Sequence, residues 1–272
     1  MTKARDTYTH GHHDAVLRSH RWRTAENSAA YLLPWLRSGM SVLDVGCGPG
    51  TLTADLAARV GPGTVVAIDT SAEVLDEARA SCAERGVENV TLLHGDFRTA
   101  GLEAGSFDVV HAHQVLQHLR DPVGALREMA RLARPGGIVA ARDVDFTATT
   151  MAPEGPGLNR FRPVYLAVTR RNGAEPNAGR WLLRWAREAG LADVTYTSST
   201  WTFATPVERA WWGELWAERF EASSLAKQAQ SYGVATKEEL AGISEGLRWW
   251  VAQPDGVFIV VHGEIIARPP RP

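Results

Sequence analysis

The chain of 272 residues carries 29 basic and 31 acidic side chains, and 44% of its residues are hydrophobic. This length is sufficient for one large globular domain, and the near-neutral charge excludes a basic nucleic-acid scaffold. No apolar run reaches the roughly 20 residues that span a bilayer, and the N-terminus lacks the pattern of a signal peptide, so we expect a cytoplasmic protein without a membrane partner.

The first half of the chain predicts strands that alternate with helices. Residues 14–37 are predicted to be helical, with Asp14 and Thr24 as candidate N-caps. A strand at Val42–Val45 follows, which a glycine-rich loop joins to a helix at Thr51–Val60. Further strands are predicted at residues 64–68, 89–93, 107–112 and 138–142, with helices that begin after Ser71 and at Asp121-Pro122. Such alternation is typical of βαβ units in a parallel sheet that is covered on both faces.

The alternation ends after the fifth strand. The pattern predicts helices at residues 158–171 and 178–189, an extended segment at 194–203, helices at 207–230 and 237–252, and a last β-rich run at 256–266. We therefore divide the chain into an N-terminal helical segment, a core, a lid and an inserted cap. The predicted bounds are 1–37 for the segment, 38–204 and 254–272 for the core, about 151–175 for the lid, and 205–253 for the Trp-rich cap.

Acidic side chains mark the carboxyl ends of the first three predicted strands. Asp44 lies two residues before Gly46 of the glycine loop, where it would repel a pyrophosphate and favour a cationic ligand. Asp69 follows the second strand and is placed to accept hydrogen bonds from both hydroxyls of a ribose. After the third strand, Asp96 can accept from an exocyclic amine, and Phe97 can cover a heterocycle. Together these residues predict a ligand with a cationic amine, a ribose diol and an amino-bearing purine.

This arrangement resembles the class I S-adenosylmethionine-dependent methyltransferases, in particular the group with the ubiquinone and menaquinone biosynthesis enzymes. The matching segments are Val42–Gly50, Ile68-Asp69, Gly95-Asp96-Phe97, Ser106–Val110 and Leu132–Gly137. They span roughly residues 38–145. The resemblance implies a Rossmann-like α/β fold with a seven-stranded, mostly parallel sheet and an antiparallel last strand. It also implies S-adenosylmethionine as the cofactor and S-adenosylhomocysteine as its product.

The resemblance further implies which residues contact the cofactor. Asp44 and the glycine-loop backbone would hold the methionine portion. Asp69 would bind the ribose, and Asp96 with Phe97 the adenine. The complete predicted set is Tyr8, Asp44, Gly46, Cys47, Gly48, Gly50, Asp69, Thr70, Gly95, Asp96, Phe97, His113 and Gln114.

In this family the N-terminal segment often closes over the cofactor. Tyr8 would then cover the sulfonium region, because a cation is attracted to an aromatic face. His20, Arg21 or Arg23 would meet the methionine carboxylate.

Two side chains are candidate general bases for a carbon or hydroxyl acceptor. His113 is expected near the methyl group, and Asp143 directly follows the fifth strand at the predicted catalytic rim. Asp143 and Asp145 can instead position an amine or remain solvated. We expect His118 to have a packing role and Asp108 to belong to the scaffold.

Ten tryptophans form an unusually large share of the aromatic residues, and none lies between Trp35 and Trp181. That interval contains the whole cofactor pattern. In the segment 205–253, Trp212 and Trp216 share one helical face and Trp211 lies on the next. Two explanations fit these residues equally well: packing in the core, and recognition of a small, largely apolar or aromatic acceptor. The cap is also a candidate surface for self-association.

A metal site is not predicted. Cys47 and Cys82 lack metal-ligand spacing, and the cluster His10, His12 and His13 is expected to be solvated. Two other functions stay open at this point: a nicotinamide-dependent oxidoreductase, which Asp44 disfavours, and a cofactor-binding regulatory module that transfers nothing.

Overall fold

The computed structural model describes residues 14–270, whose strands form one seven-stranded sheet. The strands are β1 (Val42–Val45), β2 (Val65–Asp69), β3 (Val90–His94), β4 (Phe107–His113), β5 (Ala133–Ala152), β6 (Ala192–Phe203) and β7 (Val257–Arg268). Their order is β3-β2-β1-β4-β5-β7-β6. The first five are parallel, and β7 runs antiparallel to both β5 and β6. The predicted fold class is therefore confirmed.

Ten α-helices flank this sheet within the described part of the chain. They are α1 (Asp14–Arg21), α2 (Ala25–Ser28), α3 (Thr51–Val60), α4 (Ala72–Glu84), α5 (Pro122–Leu132), α6 (Leu158–Arg171), α7 (Ala178–Glu188), α8 (Pro206–Ala222), α9 (Ser224–Ser231) and α10 (Lys237–Val251). None of them is long and apolar enough to cross a membrane.

Alternate side chains of the central strands serve two separate hydrophobic clusters. Val42 packs in the cluster that includes Leu56 of α3, whereas the next residue, Leu43, packs in the cluster that includes Leu126 of α5. Successive side chains of a strand point to opposite faces, so both faces of β1 are covered. All four residues of β1, including Asp44, are buried, as expected for a strand that is covered on both faces.

The predicted helical segment 14–37 divides at Thr24, as that candidate N-cap indicates, and it also ends earlier than predicted, in a 3₁₀ turn. Thr24 adopts an extended conformation and accepts a hydrogen bond from the Asn27 N–H, which starts the short helix α2. Pro34 then opens a 3₁₀ turn at Leu33–Trp35. Proline lacks the N–H that a continuing helix needs.

The predicted helix at 207–230 also divides, at Ser223. Its hydroxyl accepts from the Leu225 N–H at 3.1 Å and donates to the Arg219 carbonyl at 2.7 Å. The same side chain thereby ends α8 and caps α9, and its extended backbone turns the chain between them.

Strand β5 is much longer than the predicted strand at 138–142. It continues past Arg142, the partner of the last residue of β4, and pairs with β7 as far as Ala152. This extension projects beyond the carboxyl edge of the parallel sheet. Helices α6 and α8–α10 pack against it in a third hydrophobic cluster, which includes Phe146, Phe161 and Phe258. The inserted helices therefore pack against this extension of β5.

Candidate active site

A cavity of about 1260 Å³ lies at the carboxyl ends of β1–β4 and beneath α8. Its loop side comprises the glycine loop and the residues that follow β2 and β3, and its cap side comprises five aromatic side chains. Lining residues on the loop side are Asp44, Gly46, Cys47, Gly48, Asp69, Thr70, Gly95, Asp96 and Phe97, and those on the cap side are Phe146, Tyr165, Trp201, Trp212 and Trp216. One cavity thus joins the predicted cofactor residues to the Trp-rich insertion.

The glycine loop adopts a conformation that side chains rarely permit. Gly46, Gly48 and Gly50 all have positive φ, at 66°, 56° and 76°. A Cβ at Gly46 would lie 2.6 Å from Val115, and one at Gly50 would lie 2.7 Å from Ala78. At Gly48 the nearest atom would be His20 Nδ1 at 3.7 Å, so this glycine keeps space open.

Gly50 is the one described member of the predicted cofactor set that does not line the cavity. It is buried at the start of α3, with Ala78 packed against its Cα. Gly50 therefore has a packing role in the structure, and its contact with the cofactor stays a prediction.

Asp44 is 2% exposed and ties the loop to its neighbours. Thr53 donates to Asp44 Oδ2 at 2.6 Å, and His111 Nδ1 lies 3.1 Å from Oδ1. Both carboxylate oxygens thus have partners within the protein, one on α3 and one on β4. Asp44 lines the cavity while it also fixes the strand-to-loop junction.

Asp69 stands at the end of β2 and organises two backbone segments. Gly48 N–H donates to Asp69 Oδ2, and Ser71 N–H donates to Oδ1, both at 3.0 Å. Because a carboxylate oxygen can accept more than one hydrogen bond, both oxygens retain capacity toward the cavity. The geometry therefore fits the predicted role of Asp69 toward a diol.

Asp96 has a partner that the sequence reasoning missed. Arg98 folds back so that its Nε lies 2.9 Å from Asp96 Oδ1 and its Nη2 lies 2.6 Å from Oδ2. Burial opposes ionisation of Asp96, but the hydrogen bonds from the side chain and backbone N–H of Arg98 outweigh it and lower the pKa. Asp96 therefore lines the cavity as the ionised partner of Arg98, beside the buried ring of Phe97.

His113 and Gln114 leave β4 at the centre of the cavity. His113 is 5% exposed, and burial together with the charges of Arg23 and Arg142 holds its pKa well below the ordinary value. Gln114 has a φ of 54°; its Oε1 accepts from Arg23 at 3.1 Å and its Nε2 lies 2.9 Å from His262 Nε2. A neutral imidazole therefore faces the cavity beside a fixed amide.

Asp143 is not at the rim of the site, where the sequence placed it. Its side chain is fully buried and lies outside the set of described residues that line the cavity. Burial raises its pKa to about 8, although the backbone N–H groups of Gln117 and Leu116 favour the ionised form. A carboxyl group that holds a proton at neutral pH and lacks access to the cavity is not a general base for the acceptor.

Two other acidic residues have structural partners. Asp108 accepts from the backbone N–H of Ser41 at 2.8 Å and forms an ion pair with Arg134, as expected of a scaffold residue. Asp145 is held by Arg180, whose two nitrogens each lie 2.6 Å from a carboxylate oxygen. Neither behaves as a solvated carboxylate at a catalytic rim.

The N-terminal segment contributes to the cavity through α1 and the residues after it. His20 and Arg23 line the cavity, whereas Arg21 pairs with Glu77 at 2.9 Å and points elsewhere. His118 also lines it, and burial lowers its pKa to about 3, so its imidazole is neutral. The predicted contributions of Tyr8, His10, His12 and His13 lie outside the described residues.

The cap side of the cavity is an array of aromatic rings. Phe146 stacks on Tyr165 with ring centroids 3.9 Å apart, and Trp216 meets each of them edge-on at 5.6 Å. Sequence reasoning found the tryptophans but missed Phe146 and Tyr165. The signal for Tyr165 was its place four residues after Phe161 on a predicted helix, where the two share a face.

Within residues 14–270 no group of three histidine, cysteine or acidic side chains lies close enough to hold a metal ion. Burial raises the pKa of the Cys47 thiol well above its ordinary value, so this loop cysteine is not a thiolate at neutral pH.

Comparison with known proteins identifies the domain that forms the loop side. Residues 36–160 match a family model described as a methyltransferase domain. Over 98% of each chain, the protein is 29% identical to an uncharacterised methyltransferase of Schizosaccharomyces pombe. It is also 39% identical to the demethylmenaquinone methyltransferase of Lactococcus lactis over 38% of this chain and 41% of that relative.

The fold extends the likeness beyond the matched domain. Phosphoethanolamine N-methyltransferase 2 of Haemonchus contortus, solved with S-adenosylhomocysteine, superposes with a TM-score of 0.59 over 95% of this chain and 58% of that one, at 17% identity. The nicotinamide alternative is no longer needed to explain the glycine loop. The predicted resemblance to the S-adenosylmethionine-dependent methyltransferases is therefore confirmed, and residues 36–160 match a methyltransferase domain.

Proposed function

We propose that the loop side of the cavity holds S-adenosylmethionine and that the cap side receives a small, largely apolar or aromatic molecule, which is methylated on an oxygen, nitrogen or carbon atom. The single observation that carries this proposal is the continuity of the cavity, which joins both sets of residues. The demethylmenaquinone methyltransferase among the relatives has a small-molecule substrate by its name.

The residues on the loop side fit the cofactor. Gly48 and Gly95 leave open space where other residues would place a Cβ, so a ligand can approach the backbone closely. Asp69 offers carboxylate oxygens to the ribose hydroxyls. Phe97 supplies a ring for the adenine. The adenine amine donates a hydrogen bond to Asp96, which either keeps its ion pair with Arg98 or loses it when the cofactor binds.

Methyl transfer requires little acid–base chemistry from these side chains. Bound S-adenosylmethionine supplies a methyl carbon that its positive sulfur activates for displacement. The chain has to align the acceptor and exclude water, and the buried rings of Phe146, Trp212 and Trp216 do both. His113, whose depressed pKa makes it a weak base, is proposed to orient an acceptor hydroxyl rather than to ionise it.

Several further predictions belong to this proposal. The N-terminal segment 1–37 covers the cofactor. The cap at 205–253, which is inserted between β6 and β7, encloses the acceptor together with the lid at about 151–175. Self-association through the cap and a cytoplasmic location also stay predictions. The side chains of Trp212 and Trp216 face inward, which leaves Trp249, 37% exposed, as the aromatic candidate for a contact between copies.

Isothermal titration with S-adenosylhomocysteine tests the proposal. We expect wild-type protein to bind it and Asp69→Asn to bind at least about tenfold more weakly, since a neutral amide loses the charge-assisted hydrogen bonds to the diol. The matched control is Asp76→Asn, which replaces an exposed carboxylate on α4 and should bind like wild type. Absence of binding by wild type, or equal binding by Asp69→Asn, would overturn the assignment of the loop side.

A further inference from the structure

Two polar side chains on the wall of the cavity have buried nitrogen atoms without a hydrogen-bond partner. Trp212, 4% exposed, leaves its Nε1 without a partner, and His113, 5% exposed, leaves both Nδ1 and Nε2 without one. Both residues line the cavity. Buried polar groups are nearly always paired in native proteins, so three such atoms on one cavity wall point to a ligand that supplies the partners.

The indole of Trp212 is fixed by its neighbours. Its ring stacks on Phe203 with centroids 4.2 Å apart and planes 10° apart, and Phe258 meets it edge-on at 5.8 Å. Trp216 packs against it at 6.0 Å. The direction of the Nε1–H bond is therefore set by aromatic packing on three sides, and a ligand has to bring its acceptor atom to that direction.

His113 offers a complementary pair of groups. In its neutral form one ring nitrogen donates and the other accepts. His113 is the last paired residue of β4, and its ring lies 5.9 Å from that of Trp201. The two residues together present two donors and one acceptor, without a titrating charge.

We propose that Trp212 and His113 are specificity-determining residues that hydrogen-bond the oxygen atoms of an uncharged, oxygen-bearing aromatic acceptor. This inference rests on the proposed function. The indole N–H donates to a carbonyl or hydroxyl oxygen, and the imidazole accepts the proton of a hydroxyl group. A protonated amine has only donors, so it cannot pair with the indole N–H. The wall therefore favours oxygen-bearing aromatic acceptors over amines.

Equilibrium dialysis at pH 7 with saturating S-adenosylhomocysteine tests the assignment. The probes are 6-acetyl-2-naphthol, 2-isopropylnaphthalene as a hydrocarbon of similar size, and 2-(aminomethyl)naphthalene as a protonated amine. We expect wild type to bind the naphthol at least about tenfold more tightly than the amine, a difference of about 1.4 kcal/mol. Trp212→Phe and His113→Phe should each weaken binding of the naphthol about tenfold and change that of the hydrocarbon less than about twofold.

Trp181→Phe is the matched control, because Trp181 lies at an exposed position on α7 and outside the cavity lining. It should leave the affinity for all three probes unchanged. Equal losses for naphthol and hydrocarbon in Trp212→Phe would show that packing alone matters, and would overturn the inference. Failure of wild type to bind the naphthol while it binds S-adenosylhomocysteine would also overturn it. Failure to bind S-adenosylhomocysteine would instead contradict the proposed function.

Discussion

Asp143 shows how one buried side chain acquires a different chemistry from the one its sequence position suggests. It directly follows the predicted strand, but β5 continues and turns this side chain into the interior. Its Oδ1 accepts from the Gln117 N–H at 3.1 Å, which ties β5 to the 3₁₀ turn after β4. Burial outweighs this hydrogen bond, so the pKa of Asp143 lies at about 8 in the folded protein. Asp143 is best described as a protonated structural group.

This shift predicts a pH-dependent stability. The pKa of Asp143 rises from an ordinary value of 3.8 to about 8 on folding. Between these values the folded state holds a proton that the unfolded state releases, so the contribution of Asp143 is fully present below pH 4 and decreases as the pH rises toward 8. Asp143→Asn removes this loss. The free energy of unfolding of Asp143→Asn, minus that of wild type, should therefore increase with pH, by at most about 1.4 kcal/mol per pH unit.

Urea unfolding of both proteins at pH 5, 6.5 and 8 measures this gain. Asp76→Asn is the control, and its difference from wild type should stay constant, because that carboxyl group is exposed in the folded as well as the unfolded state. A constant difference for Asp143→Asn as well would contradict the burial argument.

Single side chains also show what sequence could and could not supply. The glycine loop, Asp69 and Phe97 lie together on the cavity as predicted, because strand ends of a parallel sheet converge at one edge. The ion pair between Asp96 and Arg98 was not predictable from spacing, since it depends on how the chain turns after β3. The neutral state of His113 depends on burial by distant segments, which a local pattern does not contain.

At the scale of elements, the N-terminal segment is held by one aromatic anchor. The Trp22 ring lies 5.2 Å from Trp201 of β6, 5.4 Å from Phe203 and 5.5 Å from Trp211 of α8. Its neighbours in sequence, His20 and Arg23, line the cavity. The anchor therefore couples the position of α1 to the shape of the site.

Trp22→Ala should release this segment. We expect a loss of about 2 kcal/mol in the free energy of unfolding, less than for a fully buried tryptophan because Trp22 is half-buried. Hydrogen exchange should increase in α1 and α2, and isothermal titration should show weaker binding of S-adenosylhomocysteine. Trp181→Ala, at an exposed position on α7, is the control and should change neither the hydrogen exchange of α1 and α2 nor the affinity for S-adenosylhomocysteine. Wild-type cofactor affinity in Trp22→Ala would show that the segment does not help to close the site.

Helices with one continuous apolar pattern were predicted well, and those with internal breaks were not. The bounds of the helices at Thr51–Val60 and Leu158–Arg171 agree with the structure. The cap at Thr24 was predicted, whereas the predicted helix at 207–230 contained Ser223, whose side chain caps a new helix inside an apolar pattern. The length of β5 was missed because its last residues pair only with β7, a partner more than 100 residues away.

In the whole molecule, three of the ten tryptophans lie across one cavity from the predicted cofactor residues. Trp201, Trp212 and Trp216 belong to the cap side, whereas the predicted cofactor residues of the loop side all lie between Trp35 and Trp181, where the sequence has no tryptophan. The two sides are joined by continuous strands, since β5 supplies Val139 to the core of the sheet and Phe146 to the cluster beneath the cap. We therefore expect the sheet and the cap to unfold as one cooperative unit.

Cofactor binding provides the test of that cooperativity. S-adenosylhomocysteine at about 100 times its dissociation constant should stabilise the protein by about 2.7 kcal/mol. Tryptophan fluorescence reports mainly on the cap and the N-terminal segment, whereas far-ultraviolet circular dichroism reports on the whole chain. If the sheet and cap are one unit, both signals shift to the same higher urea midpoint, although the ligand contacts mainly the loop side. A fluorescence midpoint that stays in place while the dichroism midpoint rises would show that the cap unfolds independently.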